Sequence, residues 1–121
     1  MGNKTLFKIQ SIIFLINGLC QLFVTKIYFE MASIEVDTSF LATGQCLGVI
    51  NIFLSILTWK IVDLEGDSLP KFARTFAIGS LMWVTAMSYH LIIGAIEGPA
   101  VFINIAFLIV FAILNLKASI E

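Results

Sequence analysis

The sequence predicts an all-α membrane protein: an antiparallel four-helix transmembrane bundle, one domain spanning 1–121, with both termini in the cytoplasm. Three observations predict it. Of the 121 residues 60% are hydrophobic, only 12% are charged, and the charges fall so as to leave four long uncharged runs. A soluble domain is about half apolar and about a quarter charged, so a mean hydropathy of +1.03 describes a chain whose solvent is mostly lipid.

Charged residues act as punctuation, because one placed at mid-bilayer costs roughly 2.5 to 3.5 kcal/mol on insertion scales. Ile9 to Thr25 holds 17 residues without an ionised group, Thr38 to Trp59 holds 22, Thr75 to Ile96 holds 22 and Gly98 to Leu116 holds 19. Each approaches or exceeds the roughly 20 residues that a helix needs to cross about 30 Å of hydrocarbon. Backbone in lipid must satisfy its own hydrogen bonds, so each run is expected to be helical.

The first helix is expected over 6–28. Lys4 and Lys8 precede an apolar core as in a signal peptide, but Gln21, Phe23 and Lys26 stand where a cleavage site wants small residues, so the helix is read as retained. Gln10, Asn17 and Gln21 recur at helical spacing and should look into protein rather than lipid. The segment from Lys26 to Asp37, with Glu30, Glu35 and Asp37, forms an acidic first loop.

The second helix, 38–60, places Gly44, Gly48, Asn51 and Ser55 on one face. Gly44 and Gly48 make the small-xxx-small spacing that admits a second backbone, so this face is expected to pack against another helix. A polar stretch from Lys60 to Arg74 follows, and its Pro70 suits the first turn of the third helix, 71–95. That helix carries Gly79, Trp83, Ala86 and His90 on one side, with Gly79 a further packing position. The run Gly94-Ala95-Ile96-Glu97-Gly98-Pro99 is a tight turn into the fourth helix, 99–117, so the last two helices should lie side by side.

Orientation follows from the basic residues. Lys4, Lys8, Lys60, Lys71, Arg74 and Lys117 fall at one end of the expected bundle and Lys26 alone at the other, which sets both termini inside. Trp59 fits an interfacial anchor at the inner end.

A net charge of −1 offers no basic field for nucleic acid. Cys20 and Cys46 lie singly in apolar runs, suggesting neither a disulfide framework nor a metal site. No Ser-His-Asp set, HExxH, paired carboxylate or phosphate-cradling glycine loop is present, so a catalyst acting alone is not expected.

Depth counting along the helices puts Gln21, Gln45, His90 and Asn104 at similar heights in the outer leaflet, which predicts a hydrogen-bonded polar layer around His90 that opens toward Glu97. Three readings of His90 compete. It is a neutral imidazole satisfied by an amide or a carbonyl, a proton-relaying partner of Glu97, or an axial ligand to haem or another pigment. The last would need a second ligand from elsewhere, because the chain has one histidine.

The layout resembles the small four-helix membrane proteins grouped around DoxX, from Leu6 to Leu116. The resemblance rests on a first helix running into an acid-bearing segment, a glycine-containing second helix from Leu41 to Trp59 closing on an aromatic, and Ala73-Arg74 opening the third. It implies the fold and carries no shared chemistry. The leading expectation is a non-catalytic accessory or structural subunit, without cofactor, that packs on other membrane proteins or on itself within the bilayer. The alternative is an oligomeric carrier or binding protein for a small solute or lipophile, using the layer around His90.

Overall fold

The computed structural model describes residues 2–64 and 68–120. Every regular element among them is helical: α1 (Asn3–Phe23), α2 (Thr25–Glu30), α3 (Thr38–Ile61), α4 (Ser68–Ile92) and α5 (Pro99–Ser119). Four of these, α1, α3, α4 and α5, are long and apolar enough to cross a membrane, the layout of a multi-pass membrane protein.

The first helix is interrupted where one continuous element over 6–28 was expected. Val24 leaves the helical region (φ −127°, ψ 45°) between α1 and α2. The cause sits beside it: the Thr25 hydroxyl donates to the Gln21 carbonyl and, at 3.4 Å, to the Leu22 carbonyl. A threonine hydroxyl that competes for the carbonyls of the preceding turn bends a helix. The short α2 then closes with Ser33 in the left-handed region (φ 61°), while Ile34 N–H reaches back to Phe29 O at 3.2 Å and Ser33 N–H to Glu30 O at 2.9 Å. This is a Schellman stop with serine in the place glycine usually takes.

α3 starts where the Asp37 carboxylate accepts from Phe40 N–H at 2.7 Å, an N-cap that occupies one of the orphan donors of the first turn. α4 opens three residues earlier than the expected 71, at Ser68, because Pro70 lies within the first turn, where its missing N–H leaves no bond unmade. It also stops sooner, at Ile92 rather than 95, since Gly94 turns to φ +78° and Ala95 N–H folds back on His90 O at 2.9 Å. Gly98 (φ +109°) then delivers Pro99 to the first position of α5, which runs two residues past 117.

The helices pair off. α1 lies against α3 and α4 against α5, and the two pairs touch one another sparingly. Lipid tails are as apolar as leucine, so the pairing has to come from close dispersion contact and hydrogen bonds rather than from exclusion of water. In the α1–α3 pair Gly18 faces Gly48 so tightly that a Cβ on either would stand 2.8 Å from the other's carbonyl oxygen. Nearby, Gly44 receives Thr25 and Phe29, and the Ser11 hydroxyl lies 2.7 Å from Ser55 O and 3.2 Å from Ser55 Oγ.

The two pairs are joined at both ends. At one end the first turns of α1 and α4 meet the last turns of α3 and α5, through Leu6, Phe7, Val62, Leu69, Ala73 and Ala118. The Phe7 ring meets Phe76 edge-on at 5.4 Å. Just inside, Gln10 and Asn115 exchange hydrogen bonds in both directions: Asn115 Nδ2 donates to Gln10 Oε1 at 2.7 Å and Gln10 Nε2 to Asn115 Oδ1 at 3.3 Å. At the opposite end Glu97 N–H donates to Ala32 O at 3.1 Å, and Gly98 sits so close to Met31 that a Cβ would lie 3.2 Å from its carbonyl oxygen.

Candidate functional site

Joined at their ends and apart between them, the helix pairs enclose a cleft of about 420 Å³. That size falls within the ordinary range of small-molecule sites, roughly 300 to 1,000 Å³. The polar face of α1 forms one wall, with Gln10, Asn17 and Gln21 all lining the cleft. Asn51 of α3 stands beside them, and Ser80 of α4 and Asn104 of α5 face them. Between the polar groups are aromatic surfaces, chiefly Phe14, Phe76, Trp83 and Phe107. Among the described residues no Asp, Glu, Lys, Arg or His lines it.

Part of this polar surface is committed to the protein itself. Asn51 Nδ2 donates to Gln21 Oε1 at 2.6 Å. Asn17 donates to Ile13 O at 3.0 Å and accepts from the Tyr28 hydroxyl at 2.8 Å. Eleven residues of unbroken helix would separate Tyr28 from Asn17 by roughly 16 Å, beyond the joint reach of the two side chains. The break at Val24 is what brings the hydroxyl back to the cleft. The rest is unspent: among the described residues, Asn51 Oδ1, the Asn104 amide and the Ser80 hydroxyl have no hydrogen-bond partner, while the Gln21 amide also meets the Tyr28 hydroxyl. An amide offers two donors and an acceptor, and a hydroxyl offers both roles, so the cleft can recognise a carbonyl or a hydroxyl but presents no countercharge.

The expected layer around His90 is not assembled. Gln21 and Asn104 reach the cleft, but His90 and Gln45 are both exposed and neither side chain bonds to any member of that layer. Helix rotation is the reason. The buried edge of α4 runs Leu69, Ala73, Ala77, and at 3.6 residues per turn His90 points about 140° away from Ala77. The imidazole instead meets the adjacent Tyr89 ring edge-on at 5.4 Å. Gln45 is one residue, a turn of about 100°, round α3 from the buried Gly44. Glu97 is exposed in the turn before α5 and meets the neighbouring loop through its backbone N–H only. No hydrogen bond joins His90 to Glu97, and the carrier reading built on a layer around His90 does not hold in that form.

Of the residues expected at helix contacts, Gly44 and Gly48 lie against α1–α2 and Ser55 bonds Ser11. Asn51 is at the cleft, through Gln21. Gly79 is a correction: a Cβ there would meet nothing within 4 Å, and the residue borders the cleft rather than a helix. Gly18, Ser11, Tyr28 and Asn115 were not anticipated. A signal for Asn115 existed, since it stands within two turns of the end of the last helix as Gln10 does of the start of the first. Among the described residues no three His, Cys, Asp or Glu side chains are grouped as a metal site would need.

Compared with protein-family models, curated proteins and solved structures, the chain matches none.

Proposed function

We propose that this chain is a small, non-catalytic membrane protein that holds a small molecule in the cleft between its helix pairs. The observation that carries the reading is the set of unspent amide and hydroxyl groups of Asn51, Ser80 and Asn104 in a hydrocarbon setting. Polar side chains inside a membrane need partners that lipid does not supply. Filling the cleft tests the reading: Gly79 borders it and has open space at its Cβ, so Gly79→Phe should leave the helices assembled while occupying the site. Organic extraction and mass spectrometry of the purified protein should find a compound near one per chain on the native protein and less than about a tenth of that on the variant. Equal small-molecule content in the two would sink the reading.

The bundle is taken as antiparallel, with both termini cytoplasmic. Contacts support this, because positions rising along the first helix (11, 18, 25) meet positions falling along its partner (55, 48, 44). The Lys and Arg bias sets the side. A cysteine at Ser33 should be labelled by a membrane-impermeant maleimide from outside and one at Ser68 only after permeabilisation; the reverse pattern inverts the topology.

An accessory role within a larger membrane assembly is the second reading, and α4 supports it. This helix is the least buried of the four candidate spans, and it turns Thr85, Tyr89 and His90 outward. A neighbouring membrane protein, or a second copy, would give Tyr89 and His90 partners; the Thr85 hydroxyl already donates to Leu81 O at 2.9 Å.

A further inference from the structure

We infer that the occupant of the cleft is an uncharged, ring-bearing lipophile with a hydroxyl or carbonyl head group, and that it enters sideways from the bilayer. This rests on the cleft being a binding site. Four observations meet here.

Among the described residues the lining carries no Asp, Glu, Lys, Arg or His, and its one weakly acidic group, the Tyr28 phenol, is held by Asn17; an ion buried without a countercharge is heavily penalised. An ionic solute or a charged lipid head group is therefore the wrong chemistry. Two of the unspent polar groups also lie deep. Ser80 is the middle residue of α4, which runs from Ser68 to Ile92, and Asn51 stands just past the middle of α3. In membrane-spanning helices these positions fall near the midplane, far below the level of phospholipid head groups, so only a molecule dissolved in the hydrocarbon reaches them.

The remaining walls are aromatic. Phe14, Phe76, Trp83 and Phe107 present ring faces and edges that favour an unsaturated ring. Finally, the pairs are tied at one end by the Gln10–Asn115 exchange and at the other by Glu97 N–H to Ala32 O. The ties stand toward the two ends of the bundle, and the gap between them opens along its middle. A volume of about 420 Å³ gives room for a ring system.

Trp83 lines the cleft while Trp59 lies elsewhere, under the Lys8 ammonium at 5.6 Å, so the protein carries both a reporter and a control. The Trp59→Phe variant reports from the cleft and Trp83→Phe reports partition into lipid. Both are placed in phosphatidylcholine nanodiscs and titrated with three heavy-atom quenchers: para-bromophenol, bromobenzene and para-bromobenzoate. Para-bromophenol should quench Trp83 at about a tenth of the concentration that quenches Trp59. Asn104→Leu and Ser80→Ala should each shift that midpoint up by about three- to tenfold, the loss of one hydrogen bond, with no effect on bromobenzene. Equal potency of bromobenzene and para-bromophenol, or indifference to both substitutions, overturns the head-group assignment while leaving a binding cleft. Equal potency of para-bromobenzoate overturns the requirement for neutrality. If no quencher prefers Trp83 to Trp59, the cleft does not bind such molecules, and both this inference and the reading beneath it fall.

Discussion

Gly48→Leu is expected to separate the first helix pair, with a loss of more than about 3 kcal/mol. Overpacking a tight contact ordinarily costs about 1 to 3 kcal/mol, but here the obstruction is backbone. A Cβ at Gly48 would stand 2.8 Å from both Gly18 O and Leu22 N, and neither atom can rotate away as a side chain could. Even Gly48→Ala should lose about 1 to 3 kcal/mol, because the helix axes must move apart and the flanking contacts loosen along their length. Gly79→Ala is the matched control: with nothing within 4 Å of the new methyl, its effect should stay within about 0.5 kcal/mol. Unfolding in mixed micelles, followed by far-ultraviolet circular dichroism, reads all three. Similar midpoints for Gly48→Ala and Gly79→Ala would mean that the close approach of α1 and α3 contributes little.

The amide exchange between Gln10 and Asn115 should give the second largest effect, and a non-additive one. Asn115 is fully buried and Gln10 is 5% exposed, so removing one amide leaves the other's oxygen without a donor, its nitrogen keeping only a carbonyl of its own helix. Asn115→Leu should then lose about 1 to 3 kcal/mol, the penalty of an unmade buried hydrogen bond. Gln10→Leu should lose a similar amount. The double variant should lose less than half the sum, because no orphaned group remains. Strict additivity in the same micelle assay would show that the two side chains do not depend on one another.

The spans were legible in the sequence for a simple reason: charge is expelled from hydrocarbon, so Lys, Arg, Asp and Glu mark where helices end. What each helix turns toward its neighbours was far less legible. In water a buried face is apolar and an exposed face polar, but α3 and α5 differ little in hydrophobicity from one face to another because both lipid and protein interior accept apolar side chains. Polar residues were the remaining clue. It served for Gln10, Asn17 and Gln21, whose spacing picks out one face of α1, and all three line the cleft. It failed for His90, since a position counted along a helix fixes height and leaves rotation open. The break at Val24 escaped notice because a threonine following an apolar run is common, and its hydroxyl bends the helix only where it competes for the preceding carbonyls.

The pairing of α1 with α3 and of α4 with α5 has a consequence for how the molecule is made. Each pair is one contiguous stretch of chain, so its contacts span short separations in sequence and close little entropy-rich loop. The first half can therefore assemble in the bilayer while the second is still on the ribosome, its Gly18–Gly48 seam complete before Asn115 has been synthesised. Docking of the halves is the last event, and it depends on the Gln10–Asn115 exchange, the Phe7–Phe76 contact and the backbone bond from Glu97 to Ala32. Neither half alone contains the cleft. Its occupancy is thus a property of late assembly, and a molecule seated between the halves would favour the docked state by mass action, acting as a membrane-soluble chaperone for the chain that holds it.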